Sequence, residues 1–301
     1  MNDIQGWINL YKPKSITSFQ AVKFIKKKFF IKKIGHAGTL DPLAEGILPI
    51  AIGKATKLIP FITKKQKKYR FTISWGVQTS TDDQGGDILY KSHKIPSLKN
   101  IIIESKKYIG NILQVPPNVS AVKVNGIRAY KLSRNSEIFE LKAKNVFVKD
   151  LNIISHSITK TCFEIECGKG FYVRSLARDL SRQLGTFGHV SSLERINVGN
   201  FNKNSSILLD DLLKMSERLS RINFVSSSIS MLDDILAYEI EDRSDLLRIS
   251  KGMSINVDEK KIKNFSSNSY DSDLIILSKK GDVVSFGKLI GNLFKPNKVL
   301  I

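Results

Sequence analysis

The sequence predicts an α+β protein: a large mixed region over residues 1–240, then a small β module over 241–301. Three observations carry this. Tyr69, Phe71, Ile73 and Trp75 alternate with Arg70, Thr72 and Ser74, the period of a half-buried strand. Leu176, Leu180 and Leu184 recur every four residues beside Arg174, Arg178 and Arg182, the period of an amphipathic helix. From about Leu246 the chain breaks into short strand-like runs at 274–277, 283–286 and 298–301, with Lys280-Gly281-Asp282 as a hairpin turn.

The elements follow in order. Trp7 to Lys12 reads as a strand that Pro13 ends. Thr17 or Ser18 offers a helix N-cap, and Val22, Ile25 and Phe29 follow at helical spacing with lysines on the other faces. Residues 46–59 are apolar, a strand and then a helix. After the strand at 69–75, residues 79–86 form a polar turn. A helix is expected at 101–109, a break at Gln114-Val115-Pro116-Pro117 and an extended run at 120–124 turned by Gly126. Strands are expected at 146–153 and 161–167. Gly168-Lys169-Gly170 ends the second, and Gly185 closes the arginine helix. Ser226-Ser227-Ser228 lies near the boundary, and 266–272 reads as a polar loop.

Composition narrows the function. The net charge is +20 and the surplus is uneven: residues 1–70 hold fifteen Lys/Arg against three acids. Such a field attracts nucleic acid or an anionic surface. Cys162 and Cys167 lie five apart on one strand, point to opposite faces and cannot pair, which fits a reducing compartment. No apolar run reaches membrane-spanning length. The histidines His36, His93, His156 and His189 lack ligand spacing, so no metal is expected. A soluble, cytoplasmic protein is the expectation.

Inside the basic region, residues 35–46 place one acid, Asp41, among three glycines and a proline. Glycine permits tight turns and proline stops a helix, so Asp41 is presented on a shaped loop. An acid in a basic field suggests a carboxylate kept ionised while it works on a polyanion. Taken alone, Asp41 before Pro42 reads equally as a turn former.

This 35–46 segment and five further blocks in order around it resemble the bacterial tRNA pseudouridine-55 synthases, the TruB family. Four of the five are Lys12-Pro13; Lys68-Tyr69-Arg70; Pro116-Pro117-Asn118-Val119-Ser120-Ala121-Val122-Lys123 with Gly126, Tyr130 and Arg134; and Gly168-Lys169-Gly170-Phe171-Tyr172-Val173-Arg174. Gly188-His189-Val190 with Leu193 and Arg195 resembles the family's last core block. The chain departs from the pattern at Tyr11 (Asp in the family), Ser15 (Gly), Thr79-Ser80-Thr81-Asp82 (Thr-Asp-Thr) and Glu194 (Arg). The resemblance is thin beyond about residue 240.

The resemblance implies a pseudouridine synthase core, with a large, mostly antiparallel sheet flanked by helices, and a small C-terminal PUA-like module. It implies isomerisation of one uridine in the T-loop of tRNA, by a monomer without a guide RNA. Asp41 takes the nucleophile's place, Arg174 pairs with it, and Tyr69 stacks on the base and handles the C5 proton. His36, Tyr172, Leu193, Lys12 and Lys123 are implied on the substrate side. The reaction exchanges a C–N for a C–C bond without redox or hydrolysis, so no cofactor is expected. A guanidinium beside a carboxylate favours its ionised form. Turning a base out of a folded loop costs roughly a few kcal/mol. Stacking on aromatic faces returns roughly 1–3 kcal/mol per base. Three alternatives stay open: a guide-dependent relative, a synthase acting on ribosomal RNA, and an RNA-binding folding helper without chemistry.

Overall fold

The computed structural model describes residues 5–135, 137–215, 225–229, 232, 235–264 and 275–300. Strand β1 (Gly6–Lys12) is buried along nearly its whole length and stops at Pro13, which has no N–H to donate. Ser15 follows with φ 69° and donates its N–H to Pro42 O at 2.8 Å. The left-handed backbone explains why glycine is the family's choice there; a serine carries roughly 1–2 kcal/mol of strain. Thr17 caps α1 (Ser18–Lys28) through a capping box with Gln20. Ala21 and Ile25 are buried, while Lys23, Lys26, Lys27 and Lys28 face solvent.

Strand β2 (Ile34–His36) and β3 (Glu45–Ile52) flank the Asp41 loop. The helix expected after β3 is a 3-10 turn at Gly53–Leu58 followed by α2 (Ile59–Lys64). β4 (Lys67–Trp75) is the alternating strand. The polar stretch after it is tied into a hairpin by β5 (Val77–Thr79) and β6 (Ile88–Lys91). Ser97 caps α3 (Leu98–Lys106), which starts three residues before the expected helix. β7 (Gly110–Gln114) was not expected; it is an edge strand with Leu113 mostly exposed, so its side chains carry little apolar alternation. β8 (Lys123–Val124) and β9 (Ile127–Arg128) turn through Asn125-Gly126, both at positive φ, as a two-residue hairpin requires. α4 (Ala129–Arg134) is a short helix that the sequence reading passed over.

β10 (Lys144–His156) and β11 (Lys160–Cys167) exceed their expected lengths at both ends or at the start. α5 (Val173–Gln183) ends at Gly185, φ 68°, as the C′ glycine predicts. β12 (Gly188–Val198), β13 (Phe201–Asn202), β14 (Ile207–Leu208), α6 (Leu209–Lys214) and β15 (Val225–Ser226) complete the large region.

Eleven strands form one sheet in the order β14-β1-β3-β12-β4-β11-β10-β7, with β2 on β3, β13 on β12 and β15 on β1. It is the mostly antiparallel sheet expected; the parallel pairs are β3–β12 and β1–β14. The β3–β12 pairing is only two residues long, Glu194 with Glu45 and Arg195 with Gly46. These central strands separate beyond it, between the Asp41 loop and Leu193. Gly46 makes the close approach possible: a Cβ there would lie 2.3 Å from Arg195 O. α5 lays Leu176, Ala177 and Leu180 on Phe71, Ile73 and Phe163, so the helix that carries Arg174 rests on a dry core.

A second sheet contains β16 (Leu236–Glu239), β17 (Ile255–Asn256), β18 (Ile275–Lys279), β19 (Asp282–Ile290) and β20 (Leu293–Val299), ordered β16-β18-β19-β20-β17. One helix, α7 (Arg243–Ser250), accompanies it and was not expected. Residues 274 and 301 of the expected strands and the 266–272 loop lie outside the described residues. Lys280 and Gly281, both at positive φ, make the predicted hairpin turn. The module is joined to the large region through a shared apolar cluster of Trp7, Leu58, Ile62, Ile276 and Val283. The Phe61 and Phe286 rings meet edge to face at 5.4 Å.

Candidate active site

The Asp41 loop is fixed before any substrate arrives. Ser18, the first residue of α1, donates its hydroxyl to Leu40 O at 3.1 Å and accepts from Leu40 N at 2.8 Å. Ser15 N holds Pro42 O from the other side, and Ala44 N closes a turn onto Asp41 O at 3.1 Å. Asp41 is thereby held on a loop bonded at three points, its side chain 36% exposed.

Arg174 grips that carboxylate side-on. Its Nε lies 2.8 Å from Asp41 Oδ2 and its Nη2 donates to Oδ1 at 3.1 Å. The same guanidinium donates to Thr81 O at 3.0 Å and Val119 O at 3.1 Å, and Asp83 Oδ2 stands 3.8 Å from Nε. The arginine side chain is only 5% exposed. A bidentate fork with its spare N–H groups spent on backbone carbonyls is the geometry in which a buried guanidinium fixes the position of its partner.

Around this pair opens a cleft of about 450 Å³, lined by Thr39, Leu40, Asp41, Tyr69, Phe171, Tyr172, Val173, Arg174 and Leu193. Tyr69 comes from β4, Tyr172 from the residue before α5, and Leu193 from β12. The side chain of Gln114 brackets Tyr172, accepting from its N–H at 2.8 Å and donating to its carbonyl at 3.1 Å. Burial pushes both phenols up; for Tyr69 the Arg195 charge opposes this, and for Tyr172 the Arg174 charge does. A smaller recess beyond Asp41 is walled by Leu43, Asp83, Gln84, Val190 and Ser192. The arrangement offers an oxygen nucleophile, a fixed cation and two aromatic faces within one opening.

Five of the eight residues singled out from sequence, Asp41, Tyr69, Arg174, Tyr172 and Leu193, thus share the cleft wall. The other three do not line it. Lys12 is corrected: it is fully buried, with Nζ donating to Pro13 O at 2.7 Å and Ile16 O at 2.8 Å. It ties down the loop beside Asp41 and presents no ammonium to a phosphate. Burial pushes Lys12 down to about 8, against the raising effect of Asp41. His36 is half-buried at the end of β2; burial, and then the Arg195 charge, lower its pKa. Lys123 is exposed on the β8–β9 hairpin.

Three further residues were missed. Asp83 completes the acid–arginine–acid line, and its neighbours Gly85 and Gly86 repeat the acid-among-glycines signal that marked Asp41. Arg195 is 1% exposed and bonds the carbonyls of Ile47 and Gly38. Gln114 carries no sequence signal beyond its place before Pro116-Pro117. Two departures from the family pattern also prove to be one. Tyr11 donates to Glu194 Oε1 at 3.0 Å, and Lys203 reaches the same oxygen at 2.8 Å.

Residues 26–173 match the family model described as "TruB family pseudouridylate synthase (N terminal domain)", and residues 174–237 match "tRNA pseudouridylate synthase B C-terminal domain". The chain is 40% identical over 303 residues to the tRNA pseudouridine synthase B of Ehrlichia ruminantium (strain Gardel), with 98% of each chain covered. It is 39% identical over 300 residues to that of Nitrobacter winogradskyi, covering 97% of this chain and 84% of the other. Among solved structures, a chain of a Cbf5-Nop10-Gar1 complex superposes with a TM-score of 0.74 at 24% identity, covering 98% of this chain and 85% of that one. That last likeness speaks for the fold alone.

Proposed function

This chain belongs to the TruB family of pseudouridylate synthases, and from that premise we propose that it converts one uridine in the T-loop of tRNA to pseudouridine, acting in the cytoplasm as a single chain without a guide RNA. The observation that carries the reading is the side-on Arg174–Asp41 pair inside a cleft walled by Tyr69 and Tyr172.

The chemistry needs little more. The N1–C1′ bond breaks, the base turns, C5 bonds to C1′, and the C5 proton leaves. A carboxylate can attack and depart again, and Asp41 is that group in this reading. Arg174 aims it. Tyr69 and Tyr172 receive the flipped base, offsetting roughly a few kcal/mol of unstacking. Leu193 packs against the base, His36 supports the loop from beneath, and Lys123 meets phosphate on the hairpin side. The balance of atoms requires no cofactor or metal. Among the described residues there is no group of three or more metal-ligating side chains. No described helix is long and apolar enough to cross a membrane. In this reading residues 1–240 carry the chemistry, since every described cleft-wall residue falls among them, and 241–301 form an accessory RNA-binding module.

The test is to incubate purified protein with unmodified tRNA transcripts and map pseudouridine. Product at the T-loop uridine from wild type, with none from Asp41→Asn, is the expected result. Equal product from the variant refutes the nucleophile. Product only when guide RNA is added, or only on ribosomal RNA, moves the chain to one of its rivals. Tight tRNA binding without product favours a folding helper.

A further inference from the structure

One buried arginine beside the cleft, Arg195, has no part in the chemistry described so far. Arg195 lies on β12, directly opposite Tyr69 on β4. Its Nε donates to Ile47 O at 2.7 Å and its Nη2 to Gly38 O at 3.0 Å, and its positive charge bears on the Tyr69 phenol. One planar group thereby ties the start of the Asp41 loop to the strand that follows it and sets its charge beside Tyr69. It is 1% exposed, so these contacts are made without competing water.

We propose that Arg195 is a positioning residue that acts through Tyr69, holding its oxygen in place and stabilising the phenolate that accepts the C5 proton. The inference rests on the reading of this cleft as a uridine isomerase site. In the step concerned the C5–H bond breaks, its electron pair forms the C5–C6 double bond of the product, the C6–N1 π pair moves onto N1, which takes up a proton from solvent, and the C5 proton goes to the phenolate oxygen. Tyr69 then loses that proton to solvent as the product leaves.

The surroundings make such help necessary. Burial pushes the Tyr69 phenol up, and the neighbouring Asp41 and Cys167 add to this. Of the groups facing the phenol from the Asp41 loop, β11 and β12, Arg195 opposes the rise by its charge. Lys12 and Lys67, two further buried cations, stand near Arg195 and not against the phenol. A lysine in its place keeps the charge but loses the planar fork that holds two carbonyls at once while facing the phenol.

The experiment compares wild type and Arg195→Lys on tRNA transcripts carrying uridine or 5-deuterouridine. Each protein is first checked by circular dichroism and by tRNA binding. The proposal expects kcat to fall by ~10²-fold, the scale of a general base, with KM within about twofold, the usual sign of a group that acts after binding. The deuterium effect on kcat should rise above that of wild type, because removing the C5 proton becomes slow. A deuterium effect equal to or below wild type, whatever happens to kcat, overturns it. Arg195→Gln, which retains neutral donors for the two carbonyls, is read the same way where the lysine variant does not fold. Absence of product from wild type on tRNA is a separate failure, that of the functional reading itself.

Discussion

Helices α1 and α5 are the same length, eleven residues, and each pairs one apolar face with one basic face. They use the charge in opposite ways. Lys23, Lys26, Lys27 and Lys28 of α1 stand in solvent. Arg174 of α5 is buried against Asp41. Arg178, one turn on, binds Asp82 at 3.3 Å, Asp179 at 2.8 Å and Val115 O at 2.9 Å. The head group explains the division. An ammonium is strongly hydrated and surrenders its proton when buried, whereas a guanidinium keeps its charge and spreads it over five donors. The chain's own buried lysines make the point: burial pushes Lys12 and Lys67 each down to about 8. Arginine is therefore used where the charge must persist without water, and lysine where a solvated field is enough.

Arg174→Lys breaks the comparison most directly. A single ammonium cannot reach both Asp41 oxygens, Thr81 O and Val119 O from one point. Loss of one preorganised donor at a reacting centre costs on the order of 10²–10³ in kcat, and single-turnover kinetics on tRNA transcripts should show a loss of that size with binding within a few fold. A variant within about threefold of wild type in kcat, far short of that scale, makes the fork dispensable.

Lys67→Met sharpens the lysine side. Lys67 is 7% exposed, and its Nζ is held by Thr63 O at 2.7 Å and Lys65 O at 2.6 Å. Its folded pKa lies near 8, below the ordinary 10.5, because burial disfavours the ammonium. A base with a lowered folded pKa costs stability below that value, and the cost fades as pH rises towards 10.5. The stability of wild type relative to Lys67→Met, read from urea midpoints, should therefore improve between about pH 8 and 10.5. A flat difference across that window means the amine is not desolvated as the burial implies.

The same contrast explains what could be read from the residues alone. Asp41 was legible because its loop chemistry is local: glycines and proline announce a shaped turn around one acid. Strand β4 and helix α5 were legible because half-buried elements print their period on the sequence. β7 was not, since an edge strand with Leu113 in solvent has no such period. Lys12 was misread for a related reason: composition groups it with the basic field of residues 1–70, and nothing local says that Pro13 O and Ile16 O have captured it. Arg195 and Asp83 matter through contacts spanning 157 and 91 positions, to Gly38 and Arg174, and long-range geometry leaves no local trace. Tyr11 and Glu194 looked like two unrelated departures until the fold set them 3.0 Å apart.

The smallest effect belongs to α1, and it tests whether the solvated field has a use. Lys26→Gln removes one exposed charge from a helix whose first residue, Ser18, holds the Asp41 loop at Leu40. If that face lies along the RNA, the charge contributes one released counterion. The slope of log Kd against log salt should then shrink by ~0.9 where the contact is to a duplex stem and ~0.7 where it is to a single strand. At saturating tRNA, kcat should stay at the wild-type value, since no α1 lysine lines the cleft. The two slopes differ enough to say which part of the T-arm crosses the helix. An unchanged slope assigns the α1 lysines to solvation alone, in contrast to Arg174 and Arg178 of α5, which hold Asp41 and Asp82.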